Sequence, residues 1–369
     1  MRVLYFSRDY TTHDHRFLNA LAKSDHEVFF LRLERQNWQL EDRPLPEGVQ
    51  MVLWEGGQEP AKFAKGLVFY KGLKKVLKEI NPDLVHAGPI QKCAFLTALA
   101  GFKPLISMSW GSDILKDADR NIFWRMTTRY TLSKSSYLIG DCQAVKEKAK
   151  SFGMNDEKIT LFPWGIDLKR FKPGENKTLR ERNNWQDAFV VLSLRSWEPV
   201  YGVDVLVKAF VLAAKEDPTL RLILLGGGSQ AGLLRSILKN NHLMDRVHFS
   251  GQVNQESLAG YYHASDLYVS ASHSDGSSVS LMEALGCGMP VLVSDIPGNK
   301  EWISDGKEGW LFPDGNVKLL AEKMLYASAN RDQLCDIEIN SRNLAEQRAD
   351  WDKNSAKLLD VYAQALASL

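Results

Sequence analysis

Short apolar runs rich in β-branched and aromatic residues alternate along this chain with longer stretches of helical period, and the alternation runs through twice. The first series is RVLYFS, EVFFLRL, VQMVLW, DLVHAG, PLISMSW, SYLIGD and KITLFPW. The second is AFVVLSLR, LRLILLG, RVHFSG, DLYVSAS and PVLVSDI. Strands without polar alternation are buried on both faces, which requires helices on both sides of a parallel sheet. Between them, the apolar spacing predicts helices over 16–21, 63–80, 94–100, 202–214, 256–263 and 319–327, and a last one over 354–367. Repeated strand–helix–strand units joined by right-handed crossovers make doubly wound α/β sheets. At 369 residues the chain is too long for one such core. Two domains are expected, 1–170 and 188–350. A polar linker at 171–187 would join them, and a C-terminal helix (351–369) could pack back on the N-terminal domain. Ligands of open α/β sheets sit beyond the carboxyl ends of the strands, so the site is sought in a cleft between two facing domains.

Composition excludes other classes. With 44% apolar and 25% charged residues, the chain is neither collagen-like nor disordered. Cys93, Cys142, Cys287 and Cys335 are scattered without CxxC spacing, which predicts neither a zinc site nor a disulfide framework and fits a reducing cytosol. No apolar run reaches the roughly 18–20 residues of a membrane span. No basic and apolar leader precedes the strand at Arg2, so a cytoplasmic chain is expected. The net charge of +1 gives no global attraction to nucleic acid.

That balance hides an asymmetry. Residues 1–173 carry 27 Lys+Arg against 20 Asp+Glu, a net +7, and the remainder carries 19 against 25, a net −6. Two stretches hold much of the excess. Residues 61–80 set Phe63, Leu67, Tyr70, Leu73 and Leu77 on one helix face and lysines on the other. Residues 117–134 mix Arg120, Arg125, Arg129 and Lys134 with Phe123, Trp124 and Tyr130. Both read either as solvated helix backs or as an interfacial contact with anionic lipid or a charged saccharide.

The densest chemical signal is SHSDGSSVSLMEALGCGMPVLVSDIPGNKEWISDGKEGWLF, residues 272–312. A strand runs into a loop of small residues (Asp275, Gly276, Ser277, Ser278) and then a helix beginning near Ser278. Backbone N–H groups at a helix start attract an anion such as phosphate, and ionised carboxylates accept hydrogen bonds from polyol hydroxyls. Asp275 and Glu283 are the carboxylates in reach; taken singly, Asp275 also reads as a turn or N-cap residue and Glu283 as a solvated helix carboxylate.

This block resembles the nucleotide-binding half of the retaining glycosyltransferases of family 4 (group 1), which have the GT-B fold of two facing Rossmann-like domains. Their signature of two Glu separated by seven residues, then EAxxxGxPV and a later Gly and Glu, stands here as Asp275 and Glu283, Ala284, Gly286 to Gly288, Pro290-Val291, Gly298 and Glu301. Asp275 replaces the usual Glu. FVVLSLRSWEPVYG (189–202) resembles the family's strand ending in a diphosphate-binding Arg followed by Lys-Gly; Arg195 matches the Arg and Tyr201 stands at the Lys. LILLGGGSQ, with Gly227, resembles the family's glycine turn below the nucleotide, and the segment around Gly251 and Val253 resembles the one that holds the base edge. The resemblance implies Asp275, Glu283 and Arg195 as catalytic residues. It assigns Gly276, Ser277, Ser278, Val279, Ser280, Gly227, Gly251, Val253 and Tyr201 to the donor.

In the first domain DLVHAGPI resembles the family's DxVHxH, with His86 kept and Gly88 at the second His, and SWGSDIL resembles HGSD, with Trp110 for His and Asp113 kept. His86 reads as a site residue or as a core histidine; Asp113 also reads as a helix cap. After strand one, RDYTTHDHR replaces the family's glycine pair and offers His13, His15 and Arg16 to an acceptor, or a helix start capped by Asp14. No GxGxxG follows that strand, which argues against a dehydrogenase. The resemblance implies transfer from a nucleoside diphosphate sugar to a saccharide or glycolipid acceptor, with no metal and no cofactor. A GT-B phosphorylase or epimerase, or a silent sugar-nucleotide-binding subunit, shares the same fold.

Overall fold

The computed structural model describes residues 1–35 and 41–367. It divides into two units, Met1–Trp164 with Asp352–Leu369, and Gly165–Trp351. The first holds a seven-stranded sheet of β1 (Arg2–Ser7), β2 (Glu27–Arg32), β3 (Val49–Val52), β4 (Leu84–Gly88), β5 (Leu105–Met108), β6 (Tyr137–Gly140) and β7 (Ile159–Leu161), in the order β3-β2-β1-β4-β5-β6-β7. The second holds β8 (Phe189–Ser193), β9 (Leu220–Leu225), β10 (Val247–Gly251), β11 (Leu267–Ser270), β12 (Val291–Ser294) and β13 (Gly309–Phe312), in the order β10-β9-β8-β11-β12-β13. Every neighbouring pair is parallel. Each sheet therefore reverses its winding once, between β1 and β4 and between β8 and β11. Such switch points are where open α/β sheets hold ligands.

The apolar strand runs explain why helices cover both faces. In β8, Phe189 and Val191 join one core with Leu206, Phe210, Leu222 and Leu320, while Val190 and Leu192 join a second core with Ile223, Tyr268, Leu281 and Val291. Successive strand side chains point to opposite faces, so an unbroken apolar strand needs two cores.

The segment expected as a linker at 171–187 belongs to the second unit. Phe171 and Trp185 are buried in its core, a short helix spans Lys177–Arg182, and the Arg180 guanidinium bonds Asp266 at 2.6 Å. Its polar surface residues mark an exposed helix, and the buried aromatics decide where it packs. Strand β13 begins with a glycine and is only four residues long, and no apolar run announced it.

The helices needed below are α1 (Thr12–Ala22), α2 (Gly66–Ile80), α3 (Phe95–Ala100), α4 (Ile122–Lys134), α5 (Val279–Gly286) and α6 (Ala356–Ala367). On α2 the buried side chains are Phe69, Leu73, Val76 and Ile80, so the apolar face keeps Leu73 but is rotated by about a quarter turn from the expected one, and Leu67 points outward. The Phe63 side chain lies outside what the structure describes. Helix α6 belongs to the first unit and buries Leu358, Val361, Tyr362 and Ala365 there.

Candidate active site

In the second unit the switch point gathers the chemistry. Arg195 follows β8 by two residues, and Asp275 lies in the loop between β11 and α5. Both strands flank the winding reversal, so the fold brings the two side chains together. One Arg195 Nη donates to Asp275 Oδ2 at 2.5 Å, and the other donates to Ser278 Oγ at 2.7 Å and Ser280 Oγ at 3.3 Å. The guanidinium carbon also sits 4.4 Å from the centre of the Tyr201 ring. Burial opposes the charge on Arg195, but the Asp275 carboxylate more than offsets this and holds the guanidinium protonated beyond its ordinary range. Tyr201, at the position where the resemblance puts a second cation, instead forms an aromatic plate under the first.

Local sequence explains this placement. The turn Pro199–Tyr201 ends at Gly202, whose φ is +58°, and a Cβ there would lie 2.0 Å from the carbonyl oxygen of Ala271. Only glycine fits, so the turn lies against the exit of β11 and carries Tyr201 to Arg195. His273 N–H donates to the Val200 carbonyl at 2.9 Å and closes the same contact. Gly202→Ala is expected to cost about 2 kcal/mol or more from backbone strain and overlap. A denaturant melt within error of the parent would show that the turn is not held against β11.

The loop before α5 is braced from beneath. Trp302 Nε1 donates to Ser277 Oγ at 3.0 Å, and the Gly276 amide donates to Asp275 Oδ1 at 3.0 Å. A Cβ on Gly298 would lie 2.4 Å from the Gly276 carbonyl oxygen, so that glycine lets the two loops meet. Ser278 occupies the N-cap of α5, yet its hydroxyl faces Arg195 and makes no cap bond. Amides of the first helical turn have no acceptor within the helix, so Val279 and Ser280 start a partly positive end beside a guanidinium.

Glu283 is 3% exposed, and its Oε2 accepts from the Tyr262 hydroxyl at 2.8 Å. Tyr268 bonds Ser280 Oγ at 2.7 Å. Neither tyrosine was singled out from the sequence. Each sits where an apolar strand or helix face is expected, and the hydroxyl's partner is visible only in three dimensions. The glycine turns also meet here: Gly226 N–H donates to the Gly251 carbonyl at 2.6 Å, and Gly227 is exposed with open space at its Cα. Val253 packs against the core containing Leu281 and Met282.

The first-unit candidates separate into two groups. His13 and Trp110 come together, with ring centres 5.2 Å apart, and Trp110 also meets Phe17 and Trp164 edge-on. His15 Nδ1 pairs with the Tyr10 hydroxyl at 2.6 Å, and burial lowers its proton affinity. Arg16 lies one position further along α1, half-buried. A helix does start here, but its N-cap is Thr11 rather than Asp14, which sits at N3 and closes a capping box with it.

Two candidates are corrected. His86 is fully buried and bonds the Tyr362 hydroxyl of α6 at 2.7 Å through Nδ1; it is a core histidine that ties β4 to the C-terminal helix. Asp113 is also buried and accepts from Ser109 Oγ at 2.7 Å and from the amides of Ile90, Trp110 and Ile114, each at 3.0 Å. Its lone pairs are spent on the loop that carries Trp110 and on the Ile90 amide, so it shapes that loop.

The sequence matches the family "Glycosyl transferases group 1" over residues 175–357 and "Glycosyl transferase 4-like" over residues 2–142. The chain belongs to the GT-B glycosyltransferases of group 1. A D-inositol 3-phosphate glycosyltransferase of Streptomyces bingchenggensis is 29% identical over 231 residues, 60% of this chain and 50% of the relative. The chain spans about half the length of the curated relatives it matches. The fold is similar over its whole length to that of Anabaena HepE in complex with UDP-glucose, with a TM-score of 0.80 and 20% identity, each chain covered in full. A sucrose-phosphate synthase from Thermosynechococcus elongatus gives a TM-score of 0.82 at 18% identity, again with each chain covered in full.

Proposed function

We propose that this glycosyltransferase moves a hexosyl group from a nucleoside diphosphate sugar to a saccharide or lipid-linked acceptor, with retention at the anomeric carbon. The synthesis of cell-envelope or other polysaccharide is the setting this reading fits. The observation that carries it is the meeting of Arg195, Asp275 and the start of α5 at the switch point of the second unit. A diphosphate needs positive charge and amide donors, and both stand here within one side chain's reach of a carboxylate suited to sugar hydroxyls. The UDP-glucose named for the HepE complex is a donor of this class.

In this reading the incoming diphosphate takes Arg195 from Asp275, and the released carboxylate turns to the hydroxyls of the transferred sugar. Glu283, held by Tyr262, accepts from the ribose hydroxyls. The bond from C1 to the leaving phosphate oxygen breaks as the acceptor oxygen bonds C1 on the same face. The acceptor proton passes to the phosphate oxygen that leaves. Charge develops on the diphosphate, so preorganised donors around Arg195 supply most of the rate. The positive charge comes from the protein itself, and the reading carries no metal and no cofactor.

Purified protein is expected to release UDP or GDP from a sugar nucleotide only when an acceptor is present, and the product should keep the donor's anomeric configuration. Glu283→Gln should weaken nucleotide binding about tenfold, the loss of one charge-assisted hydrogen bond. Calorimetry showing equal affinity would remove the ribose assignment. Binding without turnover across donors and acceptors would identify a silent sugar-nucleotide-binding subunit instead.

A further inference from the structure

Helix α4 is built inside out. Its buried positions are Thr127, Thr128, Thr131 and Leu132, while Ile122, Phe123, Met126 and Tyr130 are exposed, Ile122 at 71% and Met126 at 65%. Burying threonine and exposing isoleucine, phenylalanine and methionine reverses the usual order of transfer free energies. The threonines meet the requirement by bonding within the fold: Thr128 Oγ1 donates to the Trp124 carbonyl and Thr131 Oγ1 to the Thr127 carbonyl.

The exposed side does not end with this helix. Helix α3 packs between α2 and α4, with Phe95 edge-on to Tyr130 at 6.0 Å. It adds the exposed Leu99, and α2 adds Leu67 and Val68. These three helices hold under a tenth of the chain but carry seven of the fourteen large apolar side chains that are strongly exposed among the described residues. Their charge is equally one-sided. Lys71, Lys74, Lys75 and Lys78 lie exposed on α2, and Arg125, Arg129 and Lys134 lie exposed on α4. Glu79 is the one acid on the three helices, and it pairs with Lys75. Lys71 and Arg129 have no charged partner among the described residues. The positive excess of the first 173 residues is thus largely gathered on one face.

We propose that the α2–α3–α4 face docks on an anionic lipid surface, with Ile122, Phe123 and Met126 entering the headgroup boundary and the lysines and arginines meeting the lipid phosphates. Interfacial binding requires both terms, buried apolar area and cationic attraction, and this face supplies both. A protein partner would have to match seven cations with acids across a broad surface, whereas an anionic bilayer does so without a specific fold. The sequence points to the two basic stretches separately; their convergence on one layer is a result of the tertiary structure. The inference needs no transferase activity.

The test is flotation of the full chain with phosphatidylcholine vesicles, with and without phosphatidylglycerol. Binding is expected only with phosphatidylglycerol and should fall as salt rises. Lys71→Gln with Arg129→Gln should weaken it about 30-fold, near fivefold for each cation removed. Phe123→Ser with Met126→Ser should remove it even at low salt. Both pairs replace exposed side chains, and circular dichroism melts should match the parent. No flotation, or flotation that neither pair alters, would overturn the proposal. So would concentration-dependent self-association in sedimentation that the same substitutions abolish, because the face would then cover a second copy of the chain.

Discussion

Asp275→Asn is expected to tighten UDP binding roughly tenfold while reducing sugar transfer by a hundredfold or more. On the proposed reading Asp275 and a diphosphate compete for the same guanidinium, one Nη of which donates to Asp275 at 2.5 Å and the other to Ser278 at 2.7 Å. Neutralising the carboxylate leaves a buried cation without its counter-charge, and a diphosphate restores it; charge-assisted bonds of this kind are worth about 1.5–3 kcal/mol. Transfer should still fail, because the asparagine amide cannot accept from sugar hydroxyls as a carboxylate does. Arg195→Ala should weaken UDP roughly ten- to a hundredfold by the same arithmetic. The coupling decides the matter: in the Arg195→Ala background, Asp275→Asn should no longer tighten UDP. If calorimetry gives the same tightening with and without Arg195, the exchange of partners is wrong.

The second large effect concerns acid. Burial pushes the His86 imidazole down to about 3, so the folded protein keeps it neutral where the unfolded chain, near 6.5, takes up a proton. Its contribution to stability is complete above pH 6.5 and is lost as pH falls toward 3, at up to about 1.4 kcal/mol per pH unit. Asp14 acts in the opposite sense. Burial raises its carboxyl to about 6, against the bonds from Thr11, Ser7 and Tyr5, so the fold gains from its protonation between about pH 6 and 4. The two nearly cancel in the parent protein near pH 5, and the histidine is visible only by difference. In His86→Phe the loss of the Tyr362 bond lowers stability at every pH, but the gap to the parent should narrow steadily below pH 6.5. Denaturant curves that stay parallel from pH 7 to 4 would show that His86 does not titrate as its burial requires.

Twelve of the thirteen strands were legible as apolar runs, a pattern that depends on side-chain type alone; the central strands are buried on both sides, while the edge strands at Val49–Val52, Ile159–Leu161 and Val247–Gly251 are only partly covered. The stretch 272–312 was legible for a related reason. A close approach of loops demands small residues, as at Gly298, and the acids at 275 and 283 stand at the spacing that the family resemblance marks, so both leave letters in order. His86 and Asp113 were ambiguous because a buried polar residue and a ligand-binding one have the same letter. The difference lies in whether Tyr362 or the amides of residues 90, 110 and 114 are close enough to satisfy it.

The amino-acid order alone therefore determined two parallel α/β sheets, the family, and which short stretch carries the loop of small residues ahead of a helix start. Tertiary structure alone decided that Asp275 holds Arg195, that Tyr201 lies beneath it, that the helix at 122–134 turns its apolar residues outward, and that the stretch at 171–187 is part of a core. The first set follows from local spacing and the burial preference of each residue. The second depends on which groups, distant in sequence, arrive within hydrogen-bonding or packing distance, and only the folded backbone sets those distances.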